Sequence, residues 1–334
     1  MELVFIAFFC VIILSIRPVK NESGYNRELT DAIKGVAAIF IILHHFSWQV
    51  SNTGGLVVWF YREINLFAVG IFLLFSGFGL YKGIQSKHDC KKVIRYSLRI
   101  IFTYLFIFGI KILIDFAVGN IDYNVFFELF TLQMHPSNLW YIKGQLVCYI
   151  LFVSGFLFFK KKKWMIAYIV SVMMIWIVIG ITLGRQVIND AWYDTLLLFP
   201  IGIVLAIYEK QFVRLSKTYL VWMMFIITLI TAIWVLIDKR WVYVMLSIWS
   251  VLMYLILTNY VYVKGKIWCF LGKHSLSIFI IHLVLIDYAR KMKLNLANPI
   301  IILLIIGATV VFSCITDGVI HKLMDKIKSN RFIA

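Results

Sequence analysis

The chain has 334 residues, 62% of them hydrophobic and 15% charged, with a mean hydropathy of +0.91. A soluble globule carries about 25% charged residues and does not repeat apolar runs of about 20 residues along its length, so a soluble enzyme is excluded and an all-α, polytopic integral membrane helical bundle is expected. The net charge of +17 does not point to nucleic acid, because the basic residues sit in short connections between apolar spans, where cytoplasmic lysine and arginine accumulate.

Residues 3–16 are apolar, without a basic leader or an A-x-A site, and read as a short retained span. Residues 1–17 therefore form an additional N-terminal transmembrane segment, ahead of one membrane domain over residues 18–334. Further spans are expected near residues 32–50, 64–81, 98–118, 139–159, 164–183, 191–208, 219–237, 241–260, 271–289 and 299–320, which makes about 10–11 transmembrane helices. With the N-terminus outside, 24 of the 33 lysines and arginines fall in inside connections and 7 in outside ones, while Lys111 and Lys143 lie within spans. Positive-inside bias thus predicts an external N-terminus and a cytoplasmic C-terminus. The longest outside loop, near residues 119–138, has no lysine or arginine but carries Asp122, Glu128 and His135. The five cysteines form no CxxC pair and read as packing residues.

Within the second span, TDAIKGVAAIFIILHHFSW over residues 30–48, Lys34 and His45 are eleven residues apart. On a helix they return to within about 20° of each other and are separated by roughly 16 Å, so they share a face, whereas His44 lies about 80° round. A charge and an imidazole in an apolar span are costly and mark a functional site. A cavity-facing histidine is a natural general base for a hydroxyl. Equally compatible with periodicity is a Lys34 that snorkels to the surface and a His45 that bonds a neighbouring helix.

In FAVGIFLLFSGFGL, residues 67–80, Ser76 and Gly77 sit amid aromatic residues, and their spacing favours close helix packing. It is not a nucleophile elbow, because G-x-S-x-G is absent. Lys92, Arg95 and Arg99 form a basic stripe at i, i+3, i+7 in a cytoplasmic segment, able to hold phosphates or to touch anionic lipid headgroups. Lys111 and Asp115 form an intramembrane i, i+4 pair. Lys143, with Trp140 and Tyr141, reads as an interfacial anchor or as facing an external substrate. His274 and His282 are eight residues apart and, at about 12 Å in rise, do not share one metal. HExxH, Walker A and GxGxxG motifs are absent, which argues against a zinc enzyme, an ATPase or a dinucleotide site.

These residues resemble the membrane-bound acyltransferase 3 family, bacterial multi-span proteins that move acyl groups, commonly acetyl, onto cell-envelope sugars. The family hallmark is an arginine followed after ten residues by a histidine, with an aspartate three positions before the arginine. Asp31, Lys34 and His45 occupy those positions in DAIKGVAAIFIILHH, with lysine for arginine, which keeps the charge and loses the planar fork. VGIFLLFSGFGLYKG resembles the family's SGF stretch and carries over to Ser76, Gly77 and Phe78. NLWYIKGQLVCYIL, LLLFPIGIVLA and LGKHSLSIFIIHLVL resemble later family segments in the expected order, and the resemblance covers about residues 28–322.

The resemblance implies an O-acyltransferase of a bacterial inner membrane that takes acetyl from cytoplasmic acetyl-CoA and delivers it to a sugar hydroxyl of an envelope or exported polysaccharide, or of a lipid-linked sugar. No permanently bound cofactor is implied, and membrane lipids are the surrounding partner. His45, Lys34 and Asp31 are the expected catalytic residues. Lys92, Arg95 and Arg99 are expected to bind the donor, and Ser76, Gly77, Trp140, Lys143 and His282 the substrate. A transporter or flippase of envelope lipid or polysaccharide is the alternative, since intramembrane charges also mark permeation paths.

Overall fold

The computed structural model describes residues 2–19, 25–48, 55–84, 90–118, 140–183 and 193–329. The outside loop with Asp122, Glu128 and His135, and residues 85–89 of the basic segment, lie outside the described residues. The helices are α1 (Glu2–Leu14), α2 (Arg27–Ser47), α3 (Leu56–Glu63), α4 (Asn65–Gly83), α5 (Cys90–Ala117), α6 (Trp140–Phe158), α7 (Lys162–Leu183), α8 (Leu198–Thr218), α9 (Leu220–Ile237), α10 (Val242–Leu257), α11 (Lys266–Lys273), α12 (Ser275–Lys291) and α13 (Pro299–Ser329). The protein is an all-α, multi-pass membrane bundle.

Among the described residues, six stretches are long and apolar enough to cross a membrane: α2, the joined α3–α4, most of α5, α6, α7, and most of α13. Two bent pairs bring the number to eight, α8 with α9 at 100° and α11 with α12 at 75°, and α1 and α10 are shorter apolar helices. The expected spans fall on these elements, but several edges differ. α8 runs on to Thr218 with a kink at Tyr208, so the charged stretch after residue 208, read as a connection, is helical. The expected span over 271–289 starts before a bend at His274 and continues as α12. β1 (Ile16–Pro18) and β2 (Val261–Val263) pair antiparallel, with Ile16 opposite Val263 and Pro18 opposite Val261. Such a three-residue pairing has no period to announce it, and its proline sits on an edge strand, where the missing N–H is tolerated.

α2 is the centre of the bundle, with 83% of its apolar window buried, against 28% for α7. In lipid, the outward helices need apolar surfaces, and polar groups gather inside, where protein partners meet them. Asn26 caps α2 by accepting a hydrogen bond from the Leu29 N–H at 2.9 Å.

Two reciprocal glycine contacts draw helices together, one of them at α2. Gly35 of α2 lies on the Trp268 carbonyl of α11, and Gly272 of α11 lies on the Asp31 carbonyl of α2. Gly77 of α4 meets the Phe199 carbonyl of α8, and Gly202 meets that of Leu74. A Cβ at any of the four would enter neighbouring backbone, so only glycine permits the approach.

Candidate active site

The first turns of α2, the bend between α11 and α12, and the facing sides of α4, α5, α6 and α13 enclose a cavity of about 790 Å³. An adjoining lobe of about 470 Å³ shares Asp31, Lys34, Ser76 and Tyr149 with it. Arg27, Lys34, Arg99, Lys273 and Lys322 bring five cations to the cavity wall, against the carboxylates of Asp31 and Asp317. Asp31 is engaged by Arg27 at 3.6 Å. Lys34 borders both chambers, and its ammonium has no ion pair or hydrogen bond among the described residues. The cavity wall thus carries more cations than carboxylates and is suited to an anionic ligand with several charges.

Asp317 organises one wall. Ser277 Oγ donates to its Oδ1 at 2.7 Å, His274 Nδ1 contacts Oδ2, and Arg99 Nη2 lies 3.7 Å from Oδ1. One carboxylate thus ties α12, the helix bend and α5 to α13, and holds Arg99 at the cavity. On the opposite wall, Gln145 Nε2 donates to Ser76 Oγ at 3.0 Å and to Tyr149 Oη at 3.2 Å. Gln145 Oε1 is buried and has no partner among the described residues.

Three aromatic side chains close the deep side. Tyr141 and Phe279 have ring centroids 4.6 Å apart, and Phe72 lies 6.2 Å from Tyr141 and 6.4 Å from Phe279. Behind them Phe279 touches His282 at 6.0 Å, and His282 touches His45 at 5.2 Å. His282 is fully buried; its Nδ1–H donates to the Ile278 carbonyl at 2.9 Å, and its Nε2 has no partner among the described residues. His44 differs from both. Its Nδ1–H donates to the Tyr61 carbonyl at 3.2 Å, and its Nε2 accepts from Trp48 Nε1 at 3.3 Å, so both nitrogens serve the fold.

Asp31, Lys34, Ser76 and Arg99 come together on the cavity wall. His45 does not line it: the rise along α2 carries it beyond the aromatic floor, to His282. Gly77 is a helix-contact residue. Lys92 is exposed and donates to the Gly83 carbonyl at 3.2 Å, and Arg95 is likewise outside the cavity lining. Trp140 packs edge-on against Tyr141 at 6.0 Å, and neither Trp140 nor Lys143 reaches the cavity.

Sequence reasoning missed Gln145, Tyr149 and Asp317. Each had a signal. Tyr141, Gln145 and Tyr149 repeat every four residues on one helix face, and Asp317 is a lone carboxylate in an apolar span, which marks function by default. The intramembrane pair of Lys111 and Asp115 is formed at 2.7 Å, with Lys291 at 3.3 Å and the Tyr288 hydroxyl at 3.2 Å completing it.

No curated protein and no solved structure matches this chain. An acyltransferase-domain family model does match, over residues 30–318, a range running from the first turn of α2 to just past Asp317 and including every residue of the cavity wall except Arg27, His321 and Lys322. The chain belongs to this family of acyltransferases.

Proposed function

We propose that this membrane acyltransferase takes an acetyl group from cytoplasmic acetyl-CoA and transfers it to a sugar hydroxyl of an envelope or exported polysaccharide, in a bacterial inner membrane with its N-terminus outside and C-terminus inside. The observation that carries this reading is the pairing of a five-cation cavity with a histidine pair, His282 and His45, packed behind its lining residue Phe279. The cations cluster at the first turns of α2 and at Arg99, Lys273 and Lys322, the side that positive-inside bias assigns to the cytoplasm.

The nucleotide phosphates of acetyl-CoA lie among Arg99, Lys273, Lys322 and the unpaired Lys34. The thioester extends past Phe279 toward His45. The sugar approaches from the outer side. His45 takes the hydroxyl proton, the sugar oxygen bonds to the thioester carbonyl carbon, the C–S bond breaks, and the proton passes from His45 to the departing thiolate. Asp31, through Arg27, and Ser76, through Gln145, position the cavity wall. Aromatic walls exclude the water that would otherwise hydrolyse the thioester.

The test is the O-acetyl content of surface glycans in cells lacking the protein, complemented with wild type or His45→Ala at matched membrane levels, together with calorimetric binding of acetyl-CoA to both purified forms. Acetyl esters are expected only with wild type, and acetyl-CoA binding with both. Absence of acetyl-CoA binding, or ester formation by the variant, would overturn the reading. Loss of the glycan itself from the surface would point to transport.

A further inference from the structure

The buried nitrogen of His282 that lacks a partner has a specific use. Its Nδ1–H is committed to the Ile278 carbonyl of its own helix, so the lone pair must reside on Nε2. Nε2 is buried and unbonded. An acceptor left so in an apolar core costs free energy, and such an atom in a native fold calls for a donor. Two rings pack on His282. Phe279, at 6.0 Å and 76°, has no polar atom, and His45, at 5.2 Å and 44°, carries an N–H. His45 is half-buried and makes no hydrogen bond among the described residues, so its ring is free to turn toward Nε2.

We propose that His282 is the positioning residue of the acyl transfer, accepting an N–H from His45 so that the other nitrogen of His45 is held as the base facing the sugar hydroxyl. This inference rests on the acyl-transfer reading above. During the reaction His45 gains the hydroxyl proton and passes it to the thiolate, while His282 keeps its own proton on Nδ1, donated to the Ile278 carbonyl throughout. Soluble enzymes commonly give this orienting task to a carboxylate. At this depth a neutral imidazole supplies the same acceptor without burying a second charge, which lipid and apolar surroundings penalise.

The test uses the full-length protein in liposomes, with radiolabelled acetyl-CoA and total envelope glycan from cells lacking the protein as acceptor. His282→Ala is expected to slow transfer ~100-fold at saturating acetyl-CoA, with the KM for acetyl-CoA unchanged. His282→Gln, whose side-chain oxygen replaces Nε2 as acceptor, is expected to stay within ~10-fold of wild type. The double variant with His45→Ala should be no slower than His45→Ala alone, because residues acting as one unit are not additive. If His282→Ala is lost from the membrane, His282→Phe fills the space without an acceptor and takes its place. Wild-type rates without the acceptor, a glutamine variant as slow as alanine, or additive losses in the double variant would each overturn the assignment. Activity surviving in His45→Ala would sink the acyl-transfer reading first. A dead His45→Ala beside an active His282→Ala would remove this inference alone.

Discussion

The two ends of α2 sit in opposite environments and handle polarity in opposite ways. Near Asp31 and Lys34 the helix borders a cavity rich in full charges, with carboxylates set among arginines, lysines and His274. Some 16 Å further along, His45 packs on His282, which packs on Phe279, and neither histidine has an ion pair among the described residues, with Arg290 the charge near enough to act on His45. The difference follows from the cost of charge. Beside an open cavity, full charges keep solvent and one another as partners; where apolar and aromatic packing exclude solvent, a group that can stay neutral costs less to place. A third region shows what happens when charge is placed deep without such a role: Lys111, Asp115, Lys291 and Tyr288 bind one another and fasten α5 to α12.

The sharpest way to break the comparison is at the neutral end. His45→Ala should lower the transfer rate about 1000-fold, within the range for a lost general base, while leaving acetyl-CoA affinity intact; a loss of donor affinity instead would move His45 into the charged region's business. The structural charge cluster comes next. Asp115→Ala leaves Lys111 without its carboxylate, while Lys291 keeps Asp287, and a melting curve in detergent should report a destabilisation of about 1–3 kcal/mol, with the donor KM of the surviving folded fraction unchanged. Gly272→Ala pushes a methyl group into the Asp31 carbonyl and should cost about 1–3 kcal/mol, while also weakening transfer by displacing the turn that carries Asp31 and Lys34. At the charged end, Arg99→Ala should raise the KM for acetyl-CoA about 10-fold, the worth of a charge-assisted phosphate contact, with kcat held. Lys92→Ala is the control: it lies outside the cavity, and both the donor KM and stability should stay within about 0.5 kcal/mol of wild type. A Lys92 effect as large as that of Arg99 would extend the donor site across the whole basic stripe.

Much of this was readable one residue at a time. The apolar runs announced the bundle, because lipid demands about 20 apolar residues per helical crossing, and the exclusive face of Lys34 and His45 on α2 followed from 3.6 residues per turn. The stripe of Lys92, Arg95 and Arg99 shows the limit of that reasoning. Helical spacing puts the three on related faces, but which of them meets the cavity depends on where α13 brings Asp317, and Arg99 is the one it reaches. Gly77 is similar: spacing favoured packing, the resemblance favoured substrate, and the Phe199 carbonyl against it gives packing.

Composition, charge distribution and helical period by themselves determined that the chain is a multi-pass helical membrane protein, and they singled out α2 as the span that carries a lysine and two histidines among apolar residues. They could do so because bilayer thickness and helix geometry act on local sequence. Tertiary structure decided the rest. That Lys34 lines a cavity and His45 does not, that Gln145 and Asp317 build that cavity's walls, and that His282 packs beside His45 all depend on contacts between residues up to hundreds of positions apart. Such contacts are set by how glycines let backbones approach and how buried polar atoms find partners across helices, and no window along the chain contains both members of the pair.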